Sequence, residues 1–187
     1  MILTGPAIRE AMQAGDVQID PFEPRMIQPN GVDLHMGEEL IAFEDGAFDV
    51  RRPPEHGTTH HLSADEGYVL QPGALYLIAT RETVASSRYA QWLFGDRSCG
   101  SMGLWVQVSA PLGHTGSRIR WTLELRVVKP LRIYAGMRCC KVCFLTNAGD
   151  IQLYGSEHFI GGKYLENRVT VSRLALDSAA RSDDEGV

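Results

Sequence analysis

Between Tyr68 and Leu145, apolar and polar residues alternate with a period of two, in short runs separated by turns containing Gly or Pro. Such a pattern sends successive side chains to opposite faces of extended segments and cannot lay one apolar stripe along a helix. In LYLIATRETV, after a turn at Pro72-Gly73, Leu75, Leu77 and Ala79 share one face and Tyr76, Ile78 and Thr80 the other. RYAQWLF (88–94) reads as a further strand or its approach, Trp121 to Val128 as another. A last strand carries three cysteines to Leu145 after the turn Tyr134-Ala135-Gly136. Only residues 6–14 read as a helix, with Pro6 in the first turn, Ile8, Ala11 and Met12 on one side, and Gly15 at the end. Prolines and Asn30-Gly31 make 21–37 read as tight turns rather than a long element. Residues 38–50 read as short strands broken at Asp45-Gly46, and 51–66 as a polar loop. Many short strands with one short N-terminal helix predict an all-β barrel or sandwich.

At 187 residues the chain suits a single domain with a substantial core. Its 44% hydrophobic and 22% charged residues are those of a soluble globular protein. No apolar run approaches the ~18–20 residues that span a bilayer, and MILTGP lacks the basic-then-apolar pattern of a leader. The expectation is a cytoplasmic protein with no membrane partner. A net charge of −5 argues against a nucleic-acid polymer as partner, because duplex binding needs a basic stripe to displace counterions. A small anion held by a few Arg and Lys side chains is compatible with it. The Gly- and aromatic-rich stretch YGSEHFIGGKYLENRV suits a segment that closes over a ligand, and the acidic residues 176–187 read as a disordered tail.

The four cysteines are Cys99, Cys139, Cys140 and Cys143. Cys140 and Cys143 form a formal C-x-x-C, the spacing of a zinc half-site or redox pair. On a strand, residues three apart face opposite ways, and neither Lys141 nor Val142 supplies a turn. The H-x-E and P-C-x-x-C signatures of zinc-dependent deaminases are absent as well. Free buried thiols and no zinc are therefore expected. His56, His60 and His61 lie in the polar loop and read as solvated side chains.

In Trp121 to Val128, Trp121, Leu123, Leu125 and Val127 alternate with Thr122, Glu124, Arg126 and Val128, which puts Glu124 on the face opposite the apolar one. Alone it reads as a surface carboxylate beside Arg126. What singles it out is the preceding segment, GDRSCGSMGLWVQVSAPLGHTG, dense in Gly, Ser and loop-forming residues.

The segments MILTGPAIREAMQAGDVQIDPF, IQPNGVDLHMG, LQPGALYLIATRETV, GDRS, WTLEL, AGMRCCKVCF and GGKYLEN, in this order, resemble the dCTP deaminase family, relatives of the trimeric dUTPases. The resemblance implies a dUTPase-like distorted β-barrel with a short N-terminal helix, one domain over residues 1–175 that includes a C-terminal lid. It implies a homotrimer with interfacial active sites, and a cytosine nucleotide deaminated by water without zinc, Mg2+ accompanying its phosphates. The family's catalytic Glu falls on Glu124. Arg97 and Ser98 match the start of the family string R-S-S-L-A-R-L-G-L, where the serine helps hold the attacking water and positive charge steadies the site. Ala110 matches a small residue whose backbone lies against the cytosine ring. Tyr154, Lys163 and Asn167 match a Tyr, a Lys and usually a Gln that touch base and phosphates.

Several positions depart from that pattern. R-S-C-G-S-M-G-L is one residue shorter and lacks the second arginine. Gly113-His114-Thr115-Gly116 replaces I-D-P-G, so His114 stands where an Asp binds the sugar 3′-hydroxyl, and Leu112 stands for a phosphate-binding Arg. The tail string Q-x-G-P-T becomes N-R-V-T. Arg118 and Arg120 are candidates for replacement charge, against the plainer reading of exposed strand arginines. The expected activity is zinc-independent deamination of dCTP or a related cytosine nucleotide. The alternative is a non-catalytic nucleotide-binding or regulatory trimer. A dUTP pyrophosphatase is the least expected, since His114 stands where that chemistry needs a carboxylate.

Overall fold

A computed structural model of the chain describes residues 1–43, 48–49, 57–107 and 109–155. It opens with helix α1 (Gly5–Gln13), which buries Ile8 and Ala11. Gly15, at φ 79°, ends it in a left-handed conformation that a side chain would disfavour. Strands β1 (Val17–Asp20), β2 (Ile27–Gln28), β3 (Gly31–Phe43), β4 (Thr58–His61), β5 (Tyr68–Leu70), β6 (Leu75–Ser86) and β7 (Tyr89–Gly95) follow. Helix α2 (Arg97–Ser101) then leads to β8 (Leu104–Gln107), β9 (Leu112–Gly113), β10 (Arg118–Val127), β11 (Leu131–Ile133) and β12 (Arg138–Thr146).

Ten strands form one sheet with the path β8-β10-β6-β3-β12-β7-β9; β1 is added to β6, and β2 and β4 to β3. β5 and β11 form a separate pair. The curl of the sheet comes from β3, whose first half pairs β12 at Val32 to His35 and whose second half pairs β6 from Met36 on and β4 from Glu39 on. Register shifts between Met36 and Leu40, and between Arg120 and Thr122 on β10, let the strands bend where they change layer. The result is a mainly β, half-barrel sheet, as the strand pattern predicts. Its core includes Leu34, Met36, Leu40, Ile78, Leu123, Leu125 and Phe144, all fully buried.

The structure differs from the sequence reading in three places. Residues 31–43 form one long strand, not turns followed by short strands. Gly31 to Leu34 are buried on both faces, so the half-buried alternation that marks a strand is missing there. Thr58–His61, within the polar loop, pair with Ala42 to Glu39 of β3, and the ring of His60 stands 4.7 Å from that of Tyr68. The third difference is α2, a short helix in a segment read as loop. Asp96 caps it by accepting from the Ser98 N–H at 2.7 Å.

All four thiols are free and buried. Burial, with the nearby Asp96 charge, pushes Cys99 up to about 11. Burial likewise raises Cys139 and Cys143. Cys139 Sγ lies 3.7 Å from Cys140 Sγ, whereas Cys143 donates to the Asn30 carbonyl at 2.9 Å. Among the described residues, no three His, Cys, Asp or Glu side chains converge as a metal site. No described helix is long and apolar enough to cross a membrane.

Candidate active site

β10 runs between β6 and β8, so Glu124 is paired on both sides, with Leu77 and Gln107. Trp121, Leu123, Leu125 and Val127 point into the core and are buried, which turns Glu124 to the other face, half-buried. There Ser109 Oγ donates to Glu124 Oε2 at 2.5 Å, a short, charge-assisted bond. No ion pair joins Glu124 to Arg126 among the described residues. Ser109 follows β8 and is exposed, as is Ala110 beside it. A carboxylate fixed by a hydroxyl next to an open backbone segment can take a proton from a water and deliver it to a bound base.

A second cluster forms around β9. The ring of His114 stacks on Tyr154 at 5.1 Å between centroids and 15° between planes. The Tyr154 N–H donates to the Thr115 carbonyl at 2.8 Å, and Asn147 Nδ2 donates to Thr115 Oγ1 at 3.0 Å. The glycines on either side explain the string. A Cβ on Gly113 would stand 2.9 Å from the Trp121 indole. Gly116, at φ 95°, lies so close to residue 154 that its Cβ would meet the Tyr154 nitrogen at 2.8 Å.

Arg97 and Ser98 are both exposed on α2. Ser98 lines a cleft of about 580 Å³ together with His35, Asp96, Tyr134 and Arg138. The lining of that cleft includes none of Glu124, Ala110 and His114. One chain thus brings together Ser109 with Glu124, and His114 with Tyr154, but leaves Ser98 on a separate cleft and Arg97 exposed beside it on α2. Arg118 reaches Gln18 Oε1 at 3.2 Å and Arg120 donates to the Thr80 carbonyl at 2.7 Å, so both arginines are engaged in holding strands together. Lys163, Asn167, the rest of the lid to residue 175 and the tail 176–187 lie outside the described residues, as does His56.

Ser109 escapes sequence reasoning because nothing local marks it. Its signal is the register: Glu124 pairs with Gln107, so Ser109, two residues on, is its diagonal neighbour. The pairing of β8 with β10 has to be known first. Asp96 is missed along with α2, whose Ser- and Gly-rich residues Arg97–Ser101 carry little helix signal.

A family model described as dCTP deaminase-like matches residues 2–147. The chain belongs to this family. Among its relatives, a protein of Clostridium acetobutylicum named dCTP deaminase, dUMP-forming, is 34% identical over 168 residues, covering 90% of this chain and 92% of the relative. A protein of Rhodopirellula baltica named dCTP deaminase is 32% identical over 193 residues, covering 97% and 96%. The crystal structure of 2′-deoxycytidine 5′-triphosphate deaminase from Agrobacterium tumefaciens superposes with a TM-score of 0.61 at 18% identity, over 78% of this chain. This family member spans about half the length of that solved chain, 48%, and the likeness establishes the shared fold.

Proposed function

We propose that this chain deaminates a cytosine nucleotide by hydrolysis, dCTP being the first substrate to test. Support comes from relatives named dCTP deaminase that align over most of its length. The observation that carries the chemistry is Glu124, turned off the core face of β10 and held by Ser109. A water adds its oxygen to C4 of the ring; Glu124 takes the water's proton and passes it to N3. The tetrahedral carbon then expels the amine as ammonia, after a further proton passes through the same carboxylate, and the uracil carbonyl forms. Ser98 is assigned to holding the attacking water, and Arg97 to the positive charge that steadies the reacting site. Ala110, His114 and Tyr154 are assigned to base and sugar, and Lys163 and Asn167 to the closing segment.

The separation of Ser98 from Glu124 within one chain supports a homotrimer whose sites are shared between neighbouring protomers. Mg2+ would enter as the counter-ion of the phosphates. A cytoplasmic setting accords with four free thiols.

The test is incubation with cytosine mono-, di- and triphosphates, ribo and deoxy, with ammonia as readout. At least one should be turned over, and Glu124→Gln should lose about 10²- to 10⁴-fold in rate. Silence across the panel with tight nucleotide binding by calorimetry would contradict the reading. Pyrophosphate in the same assay separates dUTP, the product of deamination alone, from the dUMP for which the clostridial relative is named.

A further inference from the structure

We propose that Arg138 is a positioning residue for this reaction: by clamping the Asp96 cap of α2 it sets the direction in which Ser98 faces the cleft. The inference rests on the deaminase reading above. α2 has five residues, among them Gly100, Ser98 and Ser101, none a strong helix former, so its orientation has to come from tertiary contacts. Asp96 supplies two of them and also a local cap. Oδ1 accepts from the Ser98 N–H at 2.7 Å, Oδ2 meets Arg138 Nε at 3.2 Å, and the Asp96 N–H donates to the Cys139 carbonyl at 2.8 Å.

Arg138 also reaches α2 through its backbone, since its carbonyl faces the Cys99 thiol at 3.7 Å. The guanidinium is itself anchored. Its Nη1 lies 3.5 Å from Asp33 Oδ2, and Asp33 is held by Gln28 Nε2 at 2.9 Å and faces Lys141 Nζ at 3.5 Å. The Asp33 side chain is 6% exposed. Charges alternate along Asp96, Arg138, Asp33 and Lys141, so the pairs reinforce one another and tie α2 to β12 and β3. Asp96, Ser98, Asp33 and Arg138 all line the same cleft, which puts the clamp in one wall with the serine assigned to the attacking water. Losing the guanidinium frees Asp96 Oδ2, and the cap can rotate while α2 remains formed.

The experiment is steady-state ammonia release from dCTP and Mg2+ by the full chain and by Arg138→Gln, Arg138→Lys, Asp96→Asn and the Arg138→Gln/Asp96→Asn double variant. Misplacing α2 should cost Arg138→Gln about 10- to 100-fold in kcat, with KM far less affected. Asp96→Asn should lose a similar factor, and the double variant little more than the larger single loss, because both break the Asp96–Arg138 contact. Arg138→Lys keeps the charge and should recover part of the lost kcat, which a simple folding defect would not predict. Wild-type kcat in Arg138→Gln, or losses that multiply in the double variant, would overturn the clamp. A wild-type protein silent on every cytosine nucleotide would overturn the deaminase reading and the clamp with it. An active wild type with an unaffected Arg138→Gln removes the clamp alone.

Discussion

Ser109 Oγ lies 2.5 Å from Glu124 Oε2, across the diagonal between β8 and β10. A hydroxyl donor fixes the rotamer of the carboxylate and leaves its other oxygen for a water. Ser109→Ala should therefore lower kcat by about tenfold, the lower end of what a hydrogen bond to a charged group contributes, because the pair is partly solvated. Ser109→Thr, which keeps the hydroxyl, should stay near wild type. Steady-state kinetics on both variants checks this, and equal kcat in Ser109→Ala and wild type would remove Ser109 from the site.

His114 and Tyr154 form the other contact near the site. An aromatic pair of this kind contributes about 0.5–1.5 kcal/mol beyond area burial. If the pair shapes the sugar end, His114→Ala should raise KM by about two- to tenfold and change kcat little. His114→Asp should restore an acceptor for a sugar hydroxyl and increase discrimination between dCTP and its 2′,3′-dideoxy analogue. Unchanged KM in His114→Ala would place the substrate elsewhere.

Glu82 is a structural carboxylate. Its side chain is fully buried and accepts from the His35 N–H at 2.8 Å, meets His35 Nδ1 at 2.7 Å and pairs with Arg81 at 3.0 Å. Glu82→Ala would strand these groups around an uncompensated cavity and should cost about 3 kcal/mol, read as a lower urea midpoint. A midpoint within error of wild type would contradict a structural role for Glu82.

Asp96 links α2 to pH. Burial works to raise it, but hydrogen bonds from the Ser98 backbone and hydroxyl and the charges of Arg138 and Lys141 carry it below the ordinary value. A depressed folded value stabilises the fold above the unfolded value of about 3.9, and that contribution is lost as pH falls through the folded value. Urea midpoints of wild type and Asp96→Asn should differ most at neutral pH and converge on acidification. A gap that widens in acid would reverse the sign and contradict the assignment.

Much of the fold is legible in the sequence where one face is buried and the other is not. β10 shows this best, since Trp121, Leu123, Leu125 and Val127 define its inner face and so the outward turn of Glu124. β3 is illegible because Gly31 to Leu34 are buried on both faces, and a strand without alternation looks like its turns. β4 hides behind Thr-Thr-His-His, which is polar because it adds to the edge of β3. At the site, a single carboxylate can be read from its strand, but Ser109 cannot, since its relation to Glu124 is one of register. The tie of Asp96 to Arg138 joins residues 42 positions apart and no local pattern encodes it.

The central claim is that Glu124 moves protons for water attacking a cytosine ring. Turnover of dCTP in ¹⁸O-water, followed by mass spectrometry of the uracil nucleotide, tests it most directly. The account predicts one ¹⁸O at O4 per ammonia released, with Glu124→Gln folded, able to bind nucleotide and almost without labelled product. Labelling by Glu124→Gln at the wild-type rate, or no labelled uracil nucleotide from the wild type, would contradict it.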